Sequence, residues 1–73
     1  MIRIDNAGQA GPSLGDLRRM LRTVQSDLAA RAGFDQSLVS KWERGHSVPT
    51  VDSLIRTAHA LGYDLALVPR EDA

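Results

Sequence analysis

The chain has no cysteine among its 73 residues, only three prolines, and a single Phe, Trp and Tyr. Without thiols there is neither a disulfide staple nor thiolate metal or redox chemistry, which fits a reducing, cytoplasmic home. With so few aromatics the core must be aliphatic and small. A domain of this size buries only ~60% of its unfolded-chain surface, so a second subunit is a natural aid to stability. Long apolar runs are missing too. None can span a bilayer, and Met1-Ile2-Arg3-Ile4 is followed by no apolar stretch of the kind a signal peptide needs. Nor is there an excess of either charge, since nine basic residues meet nine acidic ones. Catalytic groupings are absent as well. His46 and His59 stand apart with no carboxylate at ligand spacing, and there is no glycine-rich phosphate loop or nucleophile elbow. No enzymatic activity, metal or cofactor is expected.

What is there is concentrated between Gln25 and Gly45, QSDLAARAGFDQSLVSKWERG. Leu28, Ala29 and Ala32 share one narrow helical face, and Gly33 supplies the left-handed residue that ends a helix. Phe34 follows as a plug. Asp35 stands where a side chain can cap a second helix, in which Val39 and Trp42 face inward at i, i+3 spacing. Gln36, Ser37, Ser40, Lys41 and Arg44 cover the remaining sides of that helix with amide, hydroxyl and cationic groups. A first helix is expected from Ser13, with Asp16 completing an approximate capping box and Leu14, Leu17, Met20 and Leu21 inside; it should end near Arg22. A fourth helix is expected after Thr50, with Val51, Leu54, Ile55, Ala58 and Leu61 as its apolar stripe and Gly62 as its stop.

On these residues the chain resembles the Xre and phage-repressor family of helix-turn-helix proteins. The matching positions are Gln25, Leu28-Ala29, Gly33, Gln36-Ser37, Val39-Ser40, Glu43-Arg44-Gly45, Pro49, Leu54 and Ala60-Leu61-Gly62, spread over most of the chain. Where that family leads one to expect glycine, leucine and a hydroxyl cap ahead of the glutamine, this chain has Arg22, Thr23 and Val24. Valine cannot accept a capping bond, so Thr23 is an alternative cap one position early. Thr57 stands where the family keeps an aliphatic residue, which implies looser packing there.

The resemblance implies an all-α, four-helix domain that binds double-stranded DNA as a homodimeric, sequence-specific transcriptional regulator, typically a repressor on a palindromic operator. Gln36, Ser37 and Lys41 occupy its usual base-reading positions, with Ser40 beside them; glutamine suits adenine and lysine suits guanine in the major groove. Arg44, His46, Ser47 and Thr50 fall where members hold phosphates, and Gln25 where it touches a phosphate while bracing Gln36. Such contacts set register without reading sequence. Arg18 and Glu43 match an internal ion pair between the first and third helices. Leu38 breaks a preference for small polar residues; it is either a contact for a thymine methyl group or an ordinary surface residue. Trp42 is expected in the core and His59 on the surface.

The termini carry less information. Residues 1–12 are expected as a flexible or partly extended arm, 13–62 as the DNA-binding domain with its motif at 25–44, and 63–73 as a strand with an acidic tail. Tyr63 to Val68 alternates in polarity before Pro69, which is a strand pattern. One strand cannot satisfy its own backbone. It must pair with Ile2 to Ile4 or with a second subunit, the latter bringing Tyr63, Leu65 and Leu67 against Ile55 and Leu61. Some helix-turn-helix antitoxins of similar sequence dimerise through such a strand, so a stand-alone regulator, a phage repressor and an antitoxin with a cognate toxin all remain open. The balanced charge supports a rival reading, an adaptor that binds a partner protein and touches DNA weakly. Between Ser13 and His46 the bases exceed the acids by two, which predicts a modest basic face.

Overall fold

Four helices carry the chain in the computed structural model, which describes residues 1–72: α1 (Ala10–Met20), α2 (Gln25–Ala32), α3 (Gln36–Glu43) and α4 (Val51–Ala60). The first three helices and Leu61, which directly follows α4, form one core of Leu17, Leu28, Ala29, Val39, Trp42 and Leu61, with Phe34, Leu38 and Ala60 packed against it. Full burial of a large aliphatic side chain stabilises by ~1.5–3 kcal/mol. So small a set leaves little reserve.

The first helix starts at Ala10, not at Ser13, and a 3-10 turn over Ala7–Gln9 precedes it. Packing explains the difference. A Cβ on Gly11 would stand 2.0 Å from the Trp42 carbonyl oxygen, and one on Gly15 2.9 Å from Glu43 Cγ. These two glycines, one turn apart, let the backbone of α1 lie directly on the end of α3. That contact outweighs their poor helix propensity, worth about 1 kcal/mol each. Pro12 is tolerated because it lies in the first turn, whose amides lack helical partners anyway. At the other end Met20 and Leu21 are more exposed than the apolar spacing predicts.

Three helices end in the same way, with a left-handed residue whose amide bonds back three residues while the next amide bonds back five. At α3 the residue is Gly45 (φ 75°), with Gly45 N–H on Trp42 O and His46 N–H on Lys41 O; at α4 it is Gly62 (φ 81°), with bonds to His59 and Ala58. At α1 it is Arg22 (φ 56°), with Arg22 N–H on Arg19 O and Thr23 N–H on Arg18 O. Gly33 (φ 80°) closes α2 as expected.

The starts are less regular. Val24 itself, not Thr23, precedes α2 without any side-chain cap, and Asp35 precedes α3 but its carboxylate makes no capping bond. Thr50 does cap α4, its hydroxyl oxygen accepting from Ser53 N–H at 3.1 Å. Thr57 is fully buried, and its hydroxyl donates to Ser53 O at 2.8 Å, so the core holds a satisfied polar group.

The expected strand at 63–68 is not formed: no strand occurs among the described residues, and no backbone hydrogen bond links this segment to Ile2–Ile4. A ladder needs a second strand in register, and within one chain none is placed to supply it. The two segments instead flank an open apolar groove of about 530 Å3 floored by Leu14, Leu17, Leu54 and Ala58. Leu61, expected at a dimer interface, is buried in the core of its own subunit.

Candidate nucleic-acid interface

Helix α3 is built to show one side outward. Val39 and Trp42 bury its inner face, and Trp42 meets Phe34 edge-to-face, ring centroids 4.9 Å apart at 80°. The outer side, with the start of α2, forms a shallow concavity lined by Gln25, Gln36, Ser37, Ser40, Lys41 and Arg44. Gln36, Ser37, Lys41 and Arg44 are exposed, while Gln25 and Ser40 are half-buried. The structure thus gathers every residue expected to read bases onto one surface, together with two of the expected phosphate contacts.

Glu43 fastens that surface to the rest of the domain. Its side chain is 4% exposed and accepts from Arg18 Nε at 2.7 Å and from a second Arg18 nitrogen at 2.8 Å, a two-pronged pair between α1 and α3. Gln25 Nε2 adds a bond at 3.0 Å and Arg19 a longer one at 3.5 Å. Arg18 also donates to Thr23 O at 2.8 Å, tying in the turn before α2. Burial would raise the Glu43 pKa, but the hydrogen bonds from Arg18 and Gln25 and the positive charges of Arg18 and Arg19 outweigh it and hold the carboxyl below its ordinary range. Arg18, hydrogen-bonded to that carboxylate, is raised. Since an ionised carboxylate only accepts, it is the NH2 of Gln25 that faces Glu43.

The other expected contacts lie apart from this concavity. His46 is exposed beyond the end of α3. Ser47 Oγ is shielded from solvent and has no hydrogen-bond partner among the described residues, and Thr50 is occupied as the α4 cap, also donating to Ser53 Oγ at 2.9 Å. Leu38 is half-buried against the core, which answers the question of its exposure.

Sequence reasoning misses Arg56. It donates to Ala32 O at 2.8 Å, lies 4.2 Å above the Phe34 ring and is 3.7 Å from Asp52, so it clasps the turn between α2 and α3. Its one sequence signal is the i, i+4 spacing from Asp52, which points only to a surface pair.

The balanced charge is accounted for by pairing. Arg3, Arg18, Arg19, Arg56 and Arg70 each hold a carboxylate within 4.0 Å, whereas Arg22, Arg31, Lys41 and Arg44 hold none among the described residues. Two of those four cations stand on the concavity of α3. Its lining contains no acid.

A short, outward, polar and cationic helix, crossed by a second helix across a glycine turn and clamped from behind, defines a helix-turn-helix unit. The chain belongs to the Xre-type helix-turn-helix family: the family profile described as helix-turn-helix matches residues 16–68. Over 52 residues it is 42% identical to a protein of Sinorhizobium fredii named uncharacterized HTH-type transcriptional regulator y4dJ, covering 71% of this chain and 68% of that protein. A second protein of that organism, named uncharacterized HTH-type transcriptional regulator y4dL, is 37% identical over 54 residues; the match takes in 74% of this chain but 28% of the relative. No solved structure matches.

Proposed function

We propose that this protein is a sequence-specific, DNA-binding transcriptional regulator that lays α3 in the major groove. The observation that carries the reading is the concavity on α3, where amides, hydroxyls and two cations without ion-pair partners among the described residues stand together and no acid lines the surface. Gln36 matches the N6 and N7 edge of adenine, Lys41 the O6 and N7 edge of guanine, and Ser37 and Ser40 serve either base. Arg44, Gln25 and His46 hold the flanking backbone. The names of both Sinorhizobium relatives support the regulatory role.

Binding is as a homodimer on a two-fold symmetric site, with the two recognition helices one DNA turn apart, ~34 Å. Tyr63, Leu65 and Leu67 are exposed apolar residues on a segment whose backbone, past the bond from Tyr63 N–H to Ala58 O, has no partner among the described residues, and an antiparallel copy supplies complementary ones by symmetry. The same pairing draws in Ile55, half-buried on α4. Repression of its own promoter is the expected mode. In the narrower form of the proposal the protein is an antitoxin whose cognate toxin is encoded beside it, and co-purification with the neighbouring gene product tests that form. The DNA reading is tested by an electrophoretic mobility shift on the protein's own upstream region: a retarded band at low salt is expected, and folded protein giving none would refute it.

A further inference from the structure

The same helix-ending turn occurs at α1, α3 and α4, and at two of the three a glycine occupies the left-handed position. At α1 that position is Arg22, the one residue other than glycine with positive φ among the described residues. A left-handed backbone is unfavourable for any residue with a Cβ, and glycine escapes the penalty. Such strain persists only where the surrounding structure holds it in place, and it clusters at functional sites. The Arg22 side chain has no task inside the fold: it is exposed and makes no side-chain hydrogen bond or ion pair among the described residues. Arg31, on α2, also lacks an ion pair among the described residues but has Asp27 one turn away on its own helix face.

Its placement gives the task. The turn that holds Arg22 is bound to the corner of the recognition surface, because Arg18 bonds Thr23 O with one nitrogen and Glu43 with two others, and Glu43 in turn bonds Gln25. Arg22 stands three residues ahead of Gln25, the first residue of α2, which itself lines the concavity. Resting on the DNA-binding reading, we propose that Arg22 is an additional phosphate-contacting residue, which grips the duplex backbone beside the groove read by α3 at the cost of a strained turn. A planar, permanently charged guanidinium on a long stem is suited to that contact. It reads no bases.

The proposal sets stability against binding, which a merely structural residue cannot do. Arg22→Gly relieves the turn and is expected to raise the melting temperature by roughly 4 °C, while weakening binding to every duplex alike. Each phosphate that the protein no longer neutralises makes the slope of log affinity against log salt shallower by about 0.9, and the variant should show that change per subunit. Arg22→Lys keeps the charge and the strain and should keep the slope. An Arg22→Gly variant with unchanged affinity and slope overturns the proposal while leaving the DNA-binding reading intact. Wild-type protein that binds no duplex at low salt overturns both.

Discussion

Replacing Glu43 by alanine strands Arg18, whose side chain is 11% exposed and which gives two of its three hydrogen bonds to that carboxylate. Removing one member of a buried pair costs about 3–5 kcal/mol, because the remaining charge is left without a partner in a poorly solvated place. A 73-residue domain has a total stability of only about 4–11 kcal/mol at typical values per residue. The substitution therefore removes a large part of it. The assay is urea unfolding followed by far-UV circular dichroism, in which the midpoint should fall steeply while the slope with denaturant stays unchanged. Replacing both members, Arg18→Met with Glu43→Leu, should cost less than Glu43→Ala alone, since no charge is then stranded. Titration gives a second reading. The folded-state pKa of Glu43 lies below its unfolded value, so its contribution is fully present above about pH 4.3 and disappears as pH falls through the lower, folded value. The wild type should lose stability over that acidic window more steeply than Glu43→Ala. A loss below about 1 kcal/mol for the alanine variant, the level of an exposed ion pair, would refute the clamp.

Gly11→Ala should destabilise by about 1–3 kcal/mol, because the new methyl group meets the Trp42 carbonyl, a backbone atom that cannot swing aside; the check is the same unfolding curve. Arg44→Ala should weaken binding to all duplexes alike and make the salt slope shallower by roughly one unit, leaving the ranking of sites untouched in competition assays. If the proposed homodimer forms through this segment, the double substitution Leu65→Glu with Leu67→Glu should leave a monomer in sedimentation equilibrium without altering the helical content; dimers of undiminished affinity would place the interface elsewhere.

Most of the fold was legible because helical periodicity and stop residues agree in the centre of the chain. Leu28, Ala29 and Ala32, then Gly33, then Val39 and Trp42 lie where spacing predicts, and so does the Thr50 cap. The early start of α1 was hidden because Gly11 and Pro12 read locally as a breaker. Both lie inside α1, where Gly11 packs on the backbone of Trp42. The alternation from Tyr63 to Val68 promised a strand, but alternation describes a segment that can pair and says nothing of where its partner is. The proposed recognition residues Gln36, Ser37, Ser40, Lys41 and Arg44 follow from the polar side of one short helix, and Gln25 from the family resemblance. The clasp made by Arg56 and the shielding of Ser47 Oγ depend on tertiary placement that no local pattern reports.

Base reading by α3, through Lys41 and its neighbours, is tested most directly by selecting duplexes from a randomised library with wild-type protein and with Lys41→Ala in parallel. Wild-type protein is expected to enrich a two-fold symmetric site with half-sites ~34 Å apart. Lys41→Ala should lose preference at one symmetry-related base pair, at about 1–3 kcal/mol per half-site, while the rest of the site is retained. Enrichment of the same sequence with the same stringency at every position by both proteins would contradict base reading by Lys41.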